Sequence, residues 1–118
     1  MTAVDKIDVW GTGEEKRDLL YVDDLISFIT SALNKQTSKY ELFNVGLGRG
    51  IKIKDLVNKV IKYSGKNLTI NHDLSKPTVP TSLYLDCSKA KNILGWEPKY
   101  TIDEGIVKTL KWYKNNMI

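Results

Sequence analysis

The spacing of apolar and polar positions predicts an alternation of short strands and helices. Residues 7–10 alternate weakly and run into a Gly-Thr-Gly turn at residues 11–13, which is typical of a strand that ends at a turn. After a polar stretch, residues 17–22 predict a second extended segment. Strands are also expected at residues 41–45 and 68–71, and a short strand or extended link at residues 83–85.

Apolar residues at helical spacing predict two helices in the first half of the chain. The first is expected at about residues 23–34, with Asp23 and Asp24 as its N-cap and first-turn acid. The second is expected at about residues 53–63, where no Ser, Thr, Asp or Asn stands in front of the helix as a cap. Gly65 follows this segment and is expected to end the helix.

Two more helices are expected in the second half of the chain. A short helix at residues 88–94 has Asp86 or Ser88 as its predicted cap. The last helix begins at Thr101, and Glu104 three residues later completes a capping box. Strands and helices therefore alternate without a repeat or an internal boundary, which predicts one mixed α/β domain over residues 1–118.

Composition and charge restrict the class of protein. The 118 residues suffice for one small domain, and an apolar content of 42% is ordinary for a globular protein. No apolar run reaches the roughly 18–20 residues of a membrane helix, and residues 1–6 lack the apolar core of a secretory signal. The net charge of +4 comes from lysines spread along the chain rather than clustered among aromatic residues. We therefore expect a cytoplasmic protein with no membrane segment and no nucleic-acid partner.

Few side chains suggest chemistry by their type alone. The single cysteine, Cys87, fits a reducing compartment and is interpreted as a partly buried thiol. The single histidine, His72, is interpreted as a surface loop residue rather than a catalytic base. Residues 46–50 resemble a phosphate-cradling loop, but the third glycine is misplaced for G-x-G-x-x-G, which favours a strand-to-helix loop. No residue of this chain is therefore assigned to catalysis, to a metal or to a cofactor.

Arg17 and Trp10 are the more suggestive pair. Arg17 follows the glycine turn and precedes an apolar segment, where its planar fork of donors suits a diphosphate. Trp10 ends the preceding strand and offers a flat face to a base or a sugar. A core tryptophan beside a surface arginine is an equally good interpretation of the same residues.

Four ordered blocks of the sequence resemble the extended short-chain dehydrogenase/reductase superfamily, in its sugar-nucleotide branch. The blocks are residues 9–25 (Val-Trp-Gly-Thr-Gly, then Arg-Asp-Leu-Leu-Tyr-Val-Asp-Asp-Leu), 43–48 (Phe-Asn-Val-Gly-Leu-Gly), 86–98 (Asp-Cys-Ser-Lys-Ala-Lys, then Leu-Gly-Trp-Glu-Pro) and 104–106 (Glu-Gly-Ile). The Val-Trp-Gly-Thr-Gly form and Lys76-Pro77 resemble the GDP-L-fucose synthases most closely. Members similar to UDP-glucose 4-epimerase and dTDP-glucose 4,6-dehydratase share most of the remaining pattern.

The resemblance implies a mixed α/β fold that corresponds to the C-terminal, substrate-binding portion of such an enzyme. NAD or NADP would then bind to an N-terminal Rossmann part, which these residues do not include. Members of the superfamily carry a catalytic Tyr-x-x-x-Lys pair in that part, and the present sequence has none. The chain alone is therefore expected neither to bind the cofactor nor to transfer hydride.

The resemblance also implies that Trp10 and Arg17 contact a nucleotide-diphosphate sugar. Residues 81–84 lack the basic residue that members often carry there, and Thr78 stands where reductase-like members often have an acid. Lys76 can take over the missing contact only if its loop folds back onto the site.

Three interpretations of the function stay open. The first is the nucleotide-sugar-binding portion of an NAD(P)-dependent epimerase, dehydratase or reductase. The second is a stand-alone binding module, and the third is a structural or interaction subunit that pairs with a Rossmann partner. In each case the resemblance predicts exposed apolar surface on the first helix and near Asn44. Homo-oligomerisation or association with an N-terminal Rossmann part is therefore expected.

Overall fold

The computed structural model of the protein describes residues 6–117 and shows a mixed α/β order. Its strands are β1 (Lys6–Trp10), β2 (Lys16–Arg17), β3 (Ile51–Lys52) and β4 (Thr69–Asp73). Its helices are α1 (Val22–Lys35), α2 (Ile53–Ser64), α3 (Ser88–Leu94) and α4 (Ile102–Asn116). This order confirms the expected fold class, and each of the four expected helices is present within about two residues of its predicted bounds. Between residues 6 and 117, no helix has both the length and the apolar content to cross a membrane.

The strands form two small two-stranded sheets. β1 and β4 pair in parallel, with Trp10 opposite Asp73, so both strands end at the same edge. β2 and β3 pair antiparallel, and Leu83 adds a single bridge to Arg17. The extended segment predicted at residues 17–22 is therefore confirmed only at its start, because the chain leaves the sheet after Arg17 and enters α1 at Val22.

The strand predicted at residues 41–45 is wrong for this structure. A strand needs a neighbour that pairs with its N–H and C=O groups, and no strand of the described chain lies beside this segment. Its alternate apolar residues, Phe43 and Val45, pack instead against the buried cluster around Trp96. Asn44 holds the segment in place by donating from Nδ2 to the carbonyl of Asp86, at 3.3 Å.

The buried cluster joins α1 to α3 and to the turn that follows α3. Ala90, Leu94 and Trp96 are its buried members. Phe28 of α1 meets the Trp96 ring edge-on at 5.4 Å between centroids, and the Trp96 indole N–H donates to Ser27. Aromatic packing and a satisfied indole donor together stabilise this small core.

The ends of the helices show which capping expectations hold. The α4 capping box is confirmed by reciprocal hydrogen bonds between Thr101 and Glu104, each of 3.1 Å. α2 has no side-chain cap, as expected, and ends at Gly65, whose φ of 70° is left-handed. At α3 the cap position is Cys87 rather than Asp86 or Ser88.

The N-cap predicted at Asp23 is wrong, whereas the first-turn acid predicted at Asp24 is confirmed. The cap position is Tyr21, and both Asp23 and Asp24 lie in the first turn. Asp24 is 1% exposed, and its two carboxylate oxygens accept the backbone N–H groups of Lys99 and Tyr100. Asp24 therefore joins the start of α1 to the segment that leads into α4.

Candidate functional site

Trp10 and Lys76 lie side by side where the two parallel strands end. Because β1 and β4 end in register, the residues that follow them emerge at the same edge of the sheet. A turn at Asp73 then reverses the chain: the Asp73 carbonyl accepts from Gly11 and Lys76, and its carboxylate accepts from Ser75. The Lys76 ammonium lies 5.7 Å from the centroid of the Trp10 ring. The loop that carries Lys76 therefore folds back towards Trp10, which is required if Lys76 is to contact a ligand there.

A cleft of about 350 Å³ opens beside this pair. One wall is the turn after β1, and the other is residues 77–82, which we call the strap. The lining residues are Gly11, Thr12, Glu14, Glu15, Leu74, Lys76, Thr78, Pro80 and Ser82. Trp10 is 54% exposed, and its neighbours Gly11 and Lys76 line the cleft.

The strap touches the turn at Gly11. This glycine is buried, with φ at +78°, and a Cβ atom there would lie 2.6 Å from Cγ2 of Thr78. Only a glycine permits both this backbone conformation and this approach. The close approach of Thr78 to this turn therefore depends on the glycine.

Arg17 lies behind the strap and does not line the cleft. Its Nη1 donates to the carbonyls of Lys16 and Thr81, and its Nη2 donates to the carbonyl of Val79 at 2.9 Å. The carbonyl of Lys16 also accepts from the N–H of Leu83 at 3.0 Å. The structure therefore brings Trp10 and Lys76 together, and Arg17 bonds to the strap. The roles of these three residues as substrate ligands remain predictions.

The acidic residues of the cleft wall differ in their surroundings. Glu14 forms ion pairs with Lys52 and Lys54. Hydrogen bonds from Lys54 and Lys52 lower the pKa of Glu14 to about 2. Its negative charge is thus compensated by two lysines, whereas Glu15 makes none of the ion pairs in the described part of the chain. Lys76 is the lysine that lines the cleft itself.

Asp18 is a structural residue that the sequence interpretation missed. Its carboxylate accepts the backbone N–H groups of Leu47, Gly48 and Leu85, at 2.6, 2.9 and 3.2 Å. The amides of the glycine-rich loop therefore bind a carboxylate of the protein itself, which disagrees with a phosphate or dinucleotide site there. Asp18 belongs to the block that carries the family resemblance, but its spacing gave no sign of this contact.

His72 and Cys87 complete the set of candidates from the sequence. His72 lies within β4 rather than in a loop, and its Nδ1 is 2.9 Å from the carbonyl oxygen of Gly11. Cys87 is half-buried, and this burial raises the pKa of its thiol. Among residues 6–117, no three His, Cys, Asp or Glu side chains are grouped so as to hold a metal ion.

An apolar stripe runs along the solvent side of α1. Its members are Val22, Leu25, Ile26, Ile29 and Leu33, each more than two-fifths exposed, with Leu33 at 81%. In contrast, the described part of the chain buries few apolar side chains almost completely: Val9, Ala90, Leu94 and Trp96. The apolar surface that was expected to be exposed on the first helix is therefore present.

Comparison with known proteins gives a consistent result. The family model described as GDP-mannose 4,6 dehydratase matches residues 2–109. The probable GDP-L-fucose synthase 1 of Oryza sativa subsp. japonica is 38% identical over 116 residues, which are 96% of this chain and 34% of that protein.

Solved structures show the same partial coverage. The UDP-glucose 4-epimerase from Bifidobacterium longum, in complex with NAD+ and UDP, has a TM-score of 0.84 and 25% identity over 97% of this chain and 36% of its own. The dTDP-glucose 4,6-dehydratase from Bacillus anthracis, in complex with NAD, has a TM-score of 0.77 and 30% identity over 94% and 35%. The chain thus spans about a third of the length of the relatives it matches.

Proposed function

Because the chain belongs to the GDP-mannose 4,6 dehydratase family, we propose that it is the part of an NAD(P)-dependent sugar-nucleotide epimerase, dehydratase or reductase that binds the nucleotide-diphosphate sugar. Membership of the extended short-chain dehydrogenase/reductase superfamily, expected from the four blocks, is confirmed by the same comparisons. The observation that carries the proposal is the contact between Trp10 and Lys76, a residue that lines the cleft.

The chemistry of this pair suits a nucleotide diphosphate. An exposed indole face stacks well on a nucleobase or the apolar face of a sugar. A lysine beside it supplies a mobile positive charge for a phosphate. In the free chain the Lys76 ammonium makes a cation–π contact with the Trp10 ring. A nucleotide that binds at Trp10 would therefore have this ammonium close to its phosphates.

A nicotinamide cofactor would supply the hydride chemistry, but the described residues do not fit one. The loop most like a dinucleotide loop has its amides bonded to Asp18. The residues of this chain are therefore assigned to binding and orienting the remote nucleotide, whose binding energy positions the reacting sugar.

The partner of the chain is proposed from the α1 stripe. Its five apolar side chains would bury several hundred Å² against a partner. Burial of apolar surface stabilises such a contact by about 25 cal/mol per Å². We propose that this surface packs against the cofactor-binding part of the enzyme or, in its absence, against a second copy. A non-catalytic interaction subunit that pairs with a Rossmann partner is the alternative function, and the exposed stripe is the observation that favours it.

Titration calorimetry with UDP, GDP and dTDP and their sugar conjugates tests the binding proposal. We expect a signal for at least one series, weakened about tenfold by Trp10→Ala or Lys76→Ala, because each lost contact contributes on the order of 1–2 kcal/mol. Trp112→Ala and Lys111→Ala remove an exposed tryptophan and an exposed lysine from α4 and serve as matched controls. Equal effects of the cleft and control variants, or no binding to the folded chain, would contradict the proposal.

A further inference from the structure

One face of the β1–β4 sheet carries an aromatic and an acidic side chain of the same strand. β1 pairs with β4 along its whole length, so every second residue of β1 lies on the same face. Val9 is buried, whereas Asp8 and Trp10 on either side of it are exposed. Asp8 and Trp10 therefore share one face of the sheet, roughly 7 Å apart along the strand.

Asp8 is held in position from the neighbouring strand. Asn71 of β4 lies directly opposite Asp8, and its Nδ2 donates to Oδ1 of Asp8 at 2.9 Å. The Lys6 ammonium is 3.9 Å from the same oxygen. Each carboxylate oxygen accepts through two lone pairs, so Asn71 orients Asp8 without using all of its acceptor sites. Because the Asp8 side chain is 56% exposed, its remaining acceptor sites can be reached by a ligand.

Two other carboxylates lie near Trp10 or in the cleft, and both differ from Asp8. Asp73, opposite Trp10 in the sheet, accepts from Ser75 within its own turn. Glu15 lines the cleft, but no hydrogen bond within residues 6–117 fixes its side chain. Asp8 is thus the carboxylate that is both held in position and placed on the same face as Trp10.

A fixed carboxylate beside an aromatic side chain distinguishes nucleobases by their hydrogen-bond donors. A carboxylate only accepts, and guanine presents two adjacent donors, N1–H and the N2 amine, on one edge. Uracil and thymine present a single N–H between two carbonyl oxygens, which a carboxylate repels. An acid is also repelled by phosphates, so Asp8 suits the base of a nucleotide rather than its diphosphate.

We propose that Asp8, oriented by Asn71, is a specificity-determining residue that selects a guanine base bound at Trp10. This inference deepens the proposed nucleotide-sugar-binding function and rests on it. The Asp8 carboxylate accepts from N1–H and from the N2 amine of a base that stacks on the indole. The assignment leaves the predicted phosphate contacts of Arg17 and Lys76 unchanged.

Four nucleotides test the base selection on the wild-type chain. Dissociation constants for GDP, inosine diphosphate, UDP and dTDP are measured by titration calorimetry. Inosine diphosphate is GDP without the N2 amine, so it keeps one of the two donors. We expect GDP to bind about tenfold more tightly than inosine diphosphate, because a charge-assisted hydrogen bond is lost, and UDP and dTDP to bind more weakly still. Equal affinities would overturn the base selection and leave the proposed function standing, whereas binding of none of the four would overturn both.

Asp8→Asn tests whether this residue makes the selection. The variant keeps the shape of the side chain and removes its charge, so the advantage of GDP over inosine diphosphate should fall to about threefold or less, with the affinity for UDP undiminished. Asn71→Ala should reduce the advantage in the same direction, because Asp8 loses its hydrogen bond. Asp23→Asn changes an exposed acid of α1 and is the matched control, expected to leave all four affinities unchanged.

Two results with these variants would overturn the assignment to Asp8. An equal loss of affinity for all four nucleotides in Asp8→Asn would indicate a contact with the ribose, which the four ligands have in a similar position. A loss of the GDP advantage in Glu15→Gln instead of Asp8→Asn would assign the selection to the cleft wall. Far-UV circular dichroism shows whether each variant is folded, and the comparison of GDP with inosine diphosphate on the wild type needs no variant.

Discussion

A Cβ atom on Gly46 would lie 2.7 Å from a carboxylate oxygen of Asp18. Gly46 is buried, and Asp18 needs this approach to reach the amides of Leu47 and Gly48. Gly46 does not have a positive φ, so its backbone conformation does not require glycine. Glycine is required because a side chain would collide with Asp18. The same carboxylate also accepts from the backbone N–H of Leu85. Asp18 therefore connects the segment after β2 to the loop at Leu47 and to the segment at Leu85.

Gly46→Ala should therefore destabilise the chain by about 1–3 kcal/mol, the usual cost of inserting a methyl group where no room exists. Urea unfolding followed by circular dichroism measures this loss. The matched comparison is the same substitution in an Asp18→Ala background, where the added methyl group has space. The double variant should therefore lose less stability than the sum of the losses from Gly46→Ala and Asp18→Ala. A cost of Gly46→Ala that is the same in both backgrounds would show that the contact with Asp18 is not its cause.

Asp24→Ala should be more damaging than a change at its neighbour. The substitution leaves the N–H groups of Lys99 and Tyr100 without their acceptor and should cost about 2–4 kcal/mol. Asp24→Asn keeps one acceptor oxygen and should cost less. Asp23→Ala alters an exposed acid in the same turn and should cost at most about 1 kcal/mol, through the helix dipole. Thermal unfolding of the three variants checks this order, and equal losses at Asp23 and Asp24 would refute it.

Acid should weaken the attachment of the β1 turn to the start of α2. Glu14 has a pKa of about 2 in the folded chain against an ordinary value of 4.5, because Lys54 and Lys52 donate to it. Between these two values the unfolded chain binds more protons, so stability rises with pH through this window. The contribution is complete above about pH 4.5 and is lost as the pH falls towards 2.

Glu14→Gln should flatten this part of the stability curve. The melting temperature between pH 2 and pH 7 is the measurement, and its slope below pH 4.5 should be smaller in the variant. Glu15→Gln removes the adjacent carboxylate, which makes no described ion pair, and is the control. An unchanged slope in Glu14→Gln would indicate that the two lysines do not stabilise the folded state.

The isolated chain should self-associate through the α1 stripe. Ile29→Glu combined with Leu33→Glu places charges on this exposed apolar surface and should shift the chain towards the monomer in sedimentation velocity. Asn34→Glu adds a charge at a neighbouring exposed polar position and should leave the association unchanged. A wild-type chain that sediments as a clean monomer at micromolar concentrations would contradict the prediction.

The sequence by itself determined the features that depend on neighbours along the chain. The helices follow from apolar spacing, and the capping box of Thr101 and Glu104 and the stop at Gly65 follow from local backbone chemistry. The superfamily followed from ordered blocks of residues. Trp10 and Arg17 were predicted as site residues by the same resemblance, and Lys76 only on the condition that its loop folds back. Such local features can be predicted from the sequence because the interacting groups are only a few residues apart.

Tertiary structure decided which distant groups each polar side chain meets. Asp24 was expected only as a first-turn acid, but it also binds amides some 75 residues away, and Asp18 reaches Leu85 across 67 residues. Arg17 donates to the carbonyls of Thr81 and Val79, more than 60 residues away, and its contact with a phosphate remains a prediction. The strand expected at residues 41–45 is missing because a strand exists only where a second one pairs with it. Hydrogen-bond partners of this kind are fixed by the path of the chain, which no local pattern encodes.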